Sequence, residues 1–167
     1  MNQTIPHQDY EIVVVNDGST DNTKRILDDF SSFMIPAWLR VIHLPENKGI
    51  GYACNEGIKQ AKGQFIVRVD SDDYINENML FIERLYLSEN KDMPAVACDY
   101  LIVDESERIL GRQNPLQLPI ACGVMFRKDK LIEMGLYKEM MVGEERDLFH
   151  RFLEKYPIYR IALPLYR

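Results

Sequence analysis

The chain has 167 residues, a length that suits one domain with one core rather than two. Nearly half of its residues are apolar, which supports a packed globule and excludes a disordered chain. The formal charge of −6 argues against nucleic acid as a main partner, because phosphate-backbone binding needs a basic face.

Strand and helix signals alternate along the sequence. Residues 11–16 (EIVVVN) form a β-branched run expected as a strand buried on both faces. It stops at the turn cluster 17–22 (DGSTDN), where Ser19, Thr20 or Asp21 is placed to cap a helix running through Phe33. Residues 39–44 read as a second strand, ended by Pro45 and Asn47-Lys48-Gly49. Residues 50–61 read as a helix with Gly63 as its left-handed terminating residue. A third strand, 65–69, runs straight into Asp70-Ser71-Asp72-Asp73, and a helix is expected over 77–87. Strands over 95–103, 108–110 and 121–126, helices over 128–134 and 145–155, and a last strand over 158–163 complete the pattern. Such alternation indicates an α/β sandwich with a largely parallel sheet.

The three cysteines (Cys54, Cys98, Cys122) are odd in number, far apart and without a CxxC pair. Neither a disulfide framework nor a zinc site is expected, and a reducing, cytoplasmic compartment is the simplest reading. There is no run of eighteen apolar residues, and the polar start MNQTIPHQDY offers no signal-peptide core. Peripheral contact with the inner face of a membrane stays compatible with this.

Open α/β sheets bind ligands beyond the carboxyl ends of their strands, and two strands here end in polar clusters. Three carboxylates within residues 70–73 repel one another, a cost that a divalent cation with oxygen ligands relieves. An EF-hand does not fit: the sixth position from Asp70 is Ile75 where glycine is needed, and the twelfth is Phe81 where glutamate is needed. At the other strand end, Gly18 allows a ligand to approach the backbone, and Asp17 can accept a hydrogen bond from a base or ribose. Residues 47–51 (NKGIG) also read as a plain left-handed turn, and 143–151 (GEERDLFHR) as a charged helix start whose acids complement the dipole. His7, His43 and His150 show no ligand spacing.

Taken in order, EIVVVNDGSTDNT, NKGIGYACNEGIKQAKG, FIVRVDSDDY, ACGVMFRKDKLIEMGLY, GEERDLF-H-R and PLYR resemble family 2 of the inverting glycosyltransferases over nearly the whole chain. The resemblance implies a GT-A fold, a mixed sheet flanked by helices. It implies metal-dependent transfer, with inversion, of a sugar from a nucleotide-sugar, UDP-linked by family tendency, to a glycan or lipid-linked acceptor. Asp17 matches the aspartate that contacts the base. Gly18, Ser19, Lys48, Gly49, Asn55 and Asp70 fall on the nucleotide-sugar side. Asp70 and Asp72 match the DxD pair, with Asp72 the preferred ligand for Mg²⁺ or Mn²⁺ and Asp70 and Asp73 alongside. Glu145 falls at the general base, Glu144 at the Glu before it, and Leu148 and Arg151 at downstream positions.

Three departures accompany the match. Glu145 stands where the family usually has Asp, which keeps the carboxylate but shifts it by one methylene, so Glu144 and Asp147 are alternative bases. Cys54 stands where an Arg often precedes the Asn, removing a phosphate contact. The family's first strand and helix have no counterpart here, and acceptor-side elements normally follow Arg167. The expectation is therefore one family 2-like domain over 1–167, incomplete at both ends. In the family fold the first strand lies centrally, between the strands matching 11–16 and 65–69. The expectation is a fragment, a mis-assigned start, or a chain completed by another chain or by self-association through the exposed sheet; direct pairing of the two flanking strands is the remaining option. Two other functions stay open from sequence: a nucleotide-sugar-binding module without turnover, and a nucleotidyltransferase, which also uses paired acids and a metal.

Overall fold

The computed structural model describes residues 3–33, 38–140 and 142–167. Among them the order is β1 (Ile12–Asn16), α1 (Thr23–Phe33), β2 (Leu39–His43), α2 (Ile50–Gln60), β3 (Phe65–Val67), α3 (Met79–Glu89), β4 (Ala95–Val103), β5 (Ile109–Gln113), β6 (Val124–Arg127), α4 (Lys128–Glu133), α5 (Glu144–Lys155) and β7 (Ile158–Tyr166). No helix among the described residues is long and apolar enough to cross a membrane.

The strands form two sheets. β1 and β2 pair in parallel, with Val14 opposite Val41. In the second sheet β4 is central: β7 runs parallel along one edge, while β6 and then β5 run antiparallel along the other. β3 adds to β6, also antiparallel. The sheet is thus mixed, as the family resemblance implied, and the largely parallel sheet read from strand–helix alternation is corrected. Alternation fixes the spacing of strands but leaves pairing direction free, and β4–β5 is a hairpin-type connection with no crossover helix. Direct pairing of β1 with β3 does not occur among the described residues.

β4 shows why its sequence is a near-continuous apolar run. Ala95 and Ala97 face one way, into a cluster with Phe126, Leu131, Leu148, Phe149 and Phe152. Val96 and Cys98 face the other way, against Leu87 and Met125 and against Met79 and Leu165 respectively. Helices cover both faces, so both sets of side chains are apolar. The exception is Asp99, fully buried at a bulge between β4 and β7. Arg160 donates to both of its oxygens at 2.7 Å, and Arg112 adds a bond at 2.8 Å. These bonds to Arg160 and Arg112 outweigh burial and hold the Asp99 carboxyl below its usual range.

Element ends differ from the sequence expectation for local reasons. α3 begins at Met79, two residues later than expected, because the Asn76 side chain accepts from Asn78 N–H and its carbonyl from Met79 N–H. β6 begins at Val124 because Gly123 sits in the left-handed region at φ +72°. Gly63 does not terminate α2 in a left-handed conformation; the chain leaves the helix extended at Ala61, and the Glu11 carboxylate takes the N–H groups of Lys62 and Gly63. Of the three capping candidates before α1, Asp21 is the one whose carboxylate accepts, from Thr23 N–H at 2.9 Å.

Candidate active site

Two corners make up the site. The first lies beyond the end of β1. Asn16, buried, accepts from Ser19 N–H and contacts His43 Nδ1 at 3.1 Å, while His43 Nε2 lies 3.0 Å from Asp28 on α1. This chain of contacts fixes the turn that carries Asp17. The Asp17 carboxylate accepts from Lys48 N–H at 2.8 Å and from Gly49 N–H at 2.9 Å, fastening the β2–α2 loop to the end of β1. Gly18 makes this approach possible: at φ +67°, an added Cβ would lie 2.4 Å from the Asn47 nitrogen. The Lys48 ammonium stands 5.0 Å from the centre of the Tyr52 ring. A cleft of about 440 Å³ opens beside this corner, lined by Gly18, Ser19, Lys24, His43 and Pro45 among others.

The second corner lies beyond β3, where the acidic loop is tied to the end of β7. Tyr74 and Arg167 exchange backbone hydrogen bonds, and Asn76 N–H donates to the Leu165 carbonyl. The Tyr166 hydroxyl donates to Asp73 at 2.6 Å and accepts from Asp70 N–H at 3.2 Å. Burial first, and then the bond to Asp73, push the Tyr166 phenol well above its usual range, so it stays a donor. The Asp70 carboxylate faces Arg68, whose Nε and Nη2 donate to its two oxygens at 2.8 and 3.0 Å. Arg68 Nη1 lies 2.7 Å from Glu145 Oε1, on the first turn of α5.

α2 links the corners. It starts directly after Gly49, and its Asn55 amide exchanges two hydrogen bonds with the Tyr137 backbone, at 2.8 and 2.9 Å. Cys54 stands near Arg68, Asp70, Glu144 and Glu145, with burial pushing its thiol up to about 11. Asp147, the other candidate base, is bonded by Lys138 at 2.9 Å and Arg151 at 2.6 Å. Lys138 first, then Arg151 against the opposing effect of burial, hold its carboxyl below the usual range. Glu144 is buried. Arg151 also caps the carbonyls of Met134 and Leu136, which explains an arginine at that position.

For a metal, carboxylate oxygens of Asp70 and Asp73 and the sulfur of Cys122 come within 4.8 Å of one another, while Asp72 is exposed and lies outside that group. Burial raises the Cys122 thiol to about 12, so it stays protonated and unsuited to a hard cation. The structure thus brings together Asp70 and Asp73, whose carboxylate oxygens are of the type that suits Mg²⁺ or Mn²⁺, and leaves Asp72, the ligand expected from sequence, outside that group. Sequence reasoning singles out the acids and Asp17. It assigns no role to Arg68, which falls inside the expected 65–69 strand, or to Tyr137 and Tyr166, which lie in the matching motifs but whose partners are distant in sequence.

The model of glycosyl transferase family 2 matches residues 1–149. The chain belongs to glycosyl transferase family 2. It is 44% identical over 102 residues to the glycosyltransferase GlyG of Streptococcus pneumoniae, covering 60% of this chain and 33% of that protein. Its fold, GT-A, matches that of S. aureus TarS 1–349 in complex with UDP, with a TM-score of 0.80 and 23% identity over 99% of this chain and 52% of that one. The mannosyltransferase PcManGT from Pyrobaculum calidifontis, solved with GDP-Man and Mn²⁺, matches with a TM-score of 0.74 and 19% identity over 96% of this chain and 48% of that one. This family 2 chain therefore spans about a third to a half of the length of these relatives.

Proposed function

We propose that this family 2 chain carries the donor-side site of an inverting glycosyltransferase, which moves a sugar from a nucleotide-sugar, UDP-linked, to a saccharide or lipid-linked acceptor. The observation that carries the reading is that Asp70 and Glu145 share one guanidinium, at 2.8–3.0 Å and 2.7 Å respectively. A group on the nucleotide side and a basic carboxylate thereby stand at one reaction centre, as single displacement requires. Neighbours of the same fold solved with UDP and with GDP-Man support a nucleotide-sugar donor.

In this reading the acceptor hydroxyl attacks the anomeric carbon, and the bond from that carbon to the diphosphate oxygen breaks with inversion. Glu145 receives the hydroxyl proton. It is preferred to Asp147, whose two oxygens are both bonded by cations, and to buried Glu144, because Arg68 contacts only one oxygen of Glu145. Asp17 and Gly18 shape the base and ribose end together with Ser19, Lys48 and Gly49. Asn55 acts indirectly, by bracing Tyr137 against α2. Asp72, with Asp73 alongside, would hold Mg²⁺ or Mn²⁺. A divalent ion there supplies charge neutralisation at the leaving diphosphate.

Calorimetric titration of UDP, with GDP in parallel, tests this. Binding of UDP that is strengthened by Mn²⁺ and weakened at least tenfold by Asp72→Ala is expected. Absence of metal-dependent nucleotide binding would sink the proposal, and normal UDP–Mn²⁺ binding by Asp72→Ala would remove the metal assignment.

A further inference from the structure

Arg68 follows β3 directly, and its side chain is only 11% exposed. Its fork on Asp70 uses two nitrogens and both carboxylate oxygens. The remaining terminal nitrogen, buried, lies against Glu145 without the angle of a hydrogen bond, so that contact is ionic. Burial works against the guanidinium's charge, but the bonds to Asp70 and the neighbouring Glu145 outweigh it and hold the group above its usual range. Cys54 and Tyr137 stand beside it, and burial raises both, so neither adds a competing anion.

Two carboxylates turned toward one partly dehydrated corner repel each other, and a fixed cation between them both removes the repulsion and sets their spacing. Arginine suits this task because its planar fork fixes direction as well as charge; a lysine ammonium supplies only the charge. The geometry points to Arg68 as a positioning residue that holds the donor-side Asp70 and the base-side Glu145 as one charged unit, coupling the two halves of the site. This rests on the roles given to Asp70 and Glu145 above.

A double-mutant cycle tests the coupling without reference to activity. Asp70→Asn, Glu145→Gln and their combination are compared by denaturant unfolding, with Arg68 intact and in Arg68→Met. The interaction between the two acids is expected to differ at least about fivefold, as an equilibrium constant, between the two backgrounds. The same interaction in both would overturn the proposal. Should Arg68→Met fail to fold, the charge-free triple variant Arg68→Met/Asp70→Asn/Glu145→Gln decides: recovery of folding supports the coupling, and no recovery refutes it.

In a transfer assay Arg68→Lys is expected to lower kcat about 10- to 100-fold while the donor KM changes less than about threefold, since a misplacement of about an ångström is costly in the chemical step. A loss carried by KM alone, or none, contradicts a positioning role. If the unaltered chain binds no UDP with Mn²⁺, the reading of the site fails, and the unfolding cycle alone decides on Arg68.

Discussion

β1 and β4 have similar apolar sequences and different fates. Ile12–Val15 of β1 all stay only partly buried, whereas Ala95–Tyr100 of β4 are buried throughout. β4 has strands on both edges and helices on both faces, while β1 pairs only with β2 among the described residues, and none of its residues joins a buried cluster. An apolar run therefore states what a strand can bury; neighbours decide what it does bury. The tightly packed second sheet presents the acids and Arg68, while the thinly packed first sheet presents Asp17.

The contrast can be broken most sharply in the core. Phe152→Ala, which empties the fully buried packing around Phe126, is expected to cost about 3–5 kcal/mol. Val13→Ala on β1 should cost only about 1 kcal/mol, because the residue is only partly buried to begin with. Equal losses in chemical denaturation would show that the two sheets are packed alike.

The second sheet also contains its own weak point. Glu83 on α3 is fully buried, and neither carboxylate oxygen makes a hydrogen bond. Burial drives its pKa well up, although the Cys98 thiol and backbone beside it pull the other way. A raised folded-state pKa means this group favours the native state most below about pH 4.5, and that contribution is lost as pH rises toward the folded value. Glu83→Met should accordingly stabilise the chain by about 1–3 kcal/mol at pH 7.5. The gain should shrink toward pH 4, and a gain that does not change with pH would contradict the buried-acid assignment.

At the first sheet, Gly18→Ala forces a Cβ against the Glu46–Asn47 backbone in a left-handed conformation. The conformation alone costs about 1–2 kcal/mol, and UDP affinity is expected to fall at least tenfold as Asp17 and the Lys48–Gly49 loop part. Unchanged affinity would detach this corner from the site. The smallest effect belongs to Lys24→Ala, which removes an exposed pair with Asp28 and should leave the denaturation midpoint unchanged within error.

Much of this architecture is legible in the amino-acid sequence. Strand and helix positions follow from β-branched runs and turn residues, and Asp17, the 70–73 acids and Glu145 stand out as polar groups at element ends. Pairing direction is not legible, because the 95–103 and 109–113 runs read the same in parallel or antiparallel sheets. Gly63 misleads because the Glu11 side chain, far away in sequence, satisfies the backbone groups a left-handed turn would have served. Arg68 and Tyr166 escape for the same reason: their partners Glu145 and Asp73 come close only in the folded chain.

In the proposed reading, Glu145 and the Asp70 corner form a single glycosyl-transfer site. Its most direct test is the rate of UDP release from a UDP-sugar with Mn²⁺ and a saccharide acceptor, compared between the unaltered chain and Glu145→Gln. The expected result is metal-dependent release that falls about 10²–10⁴-fold in the variant, with UDP affinity held within about threefold. A variant that keeps the full rate, or no donor turnover in either protein, would contradict it.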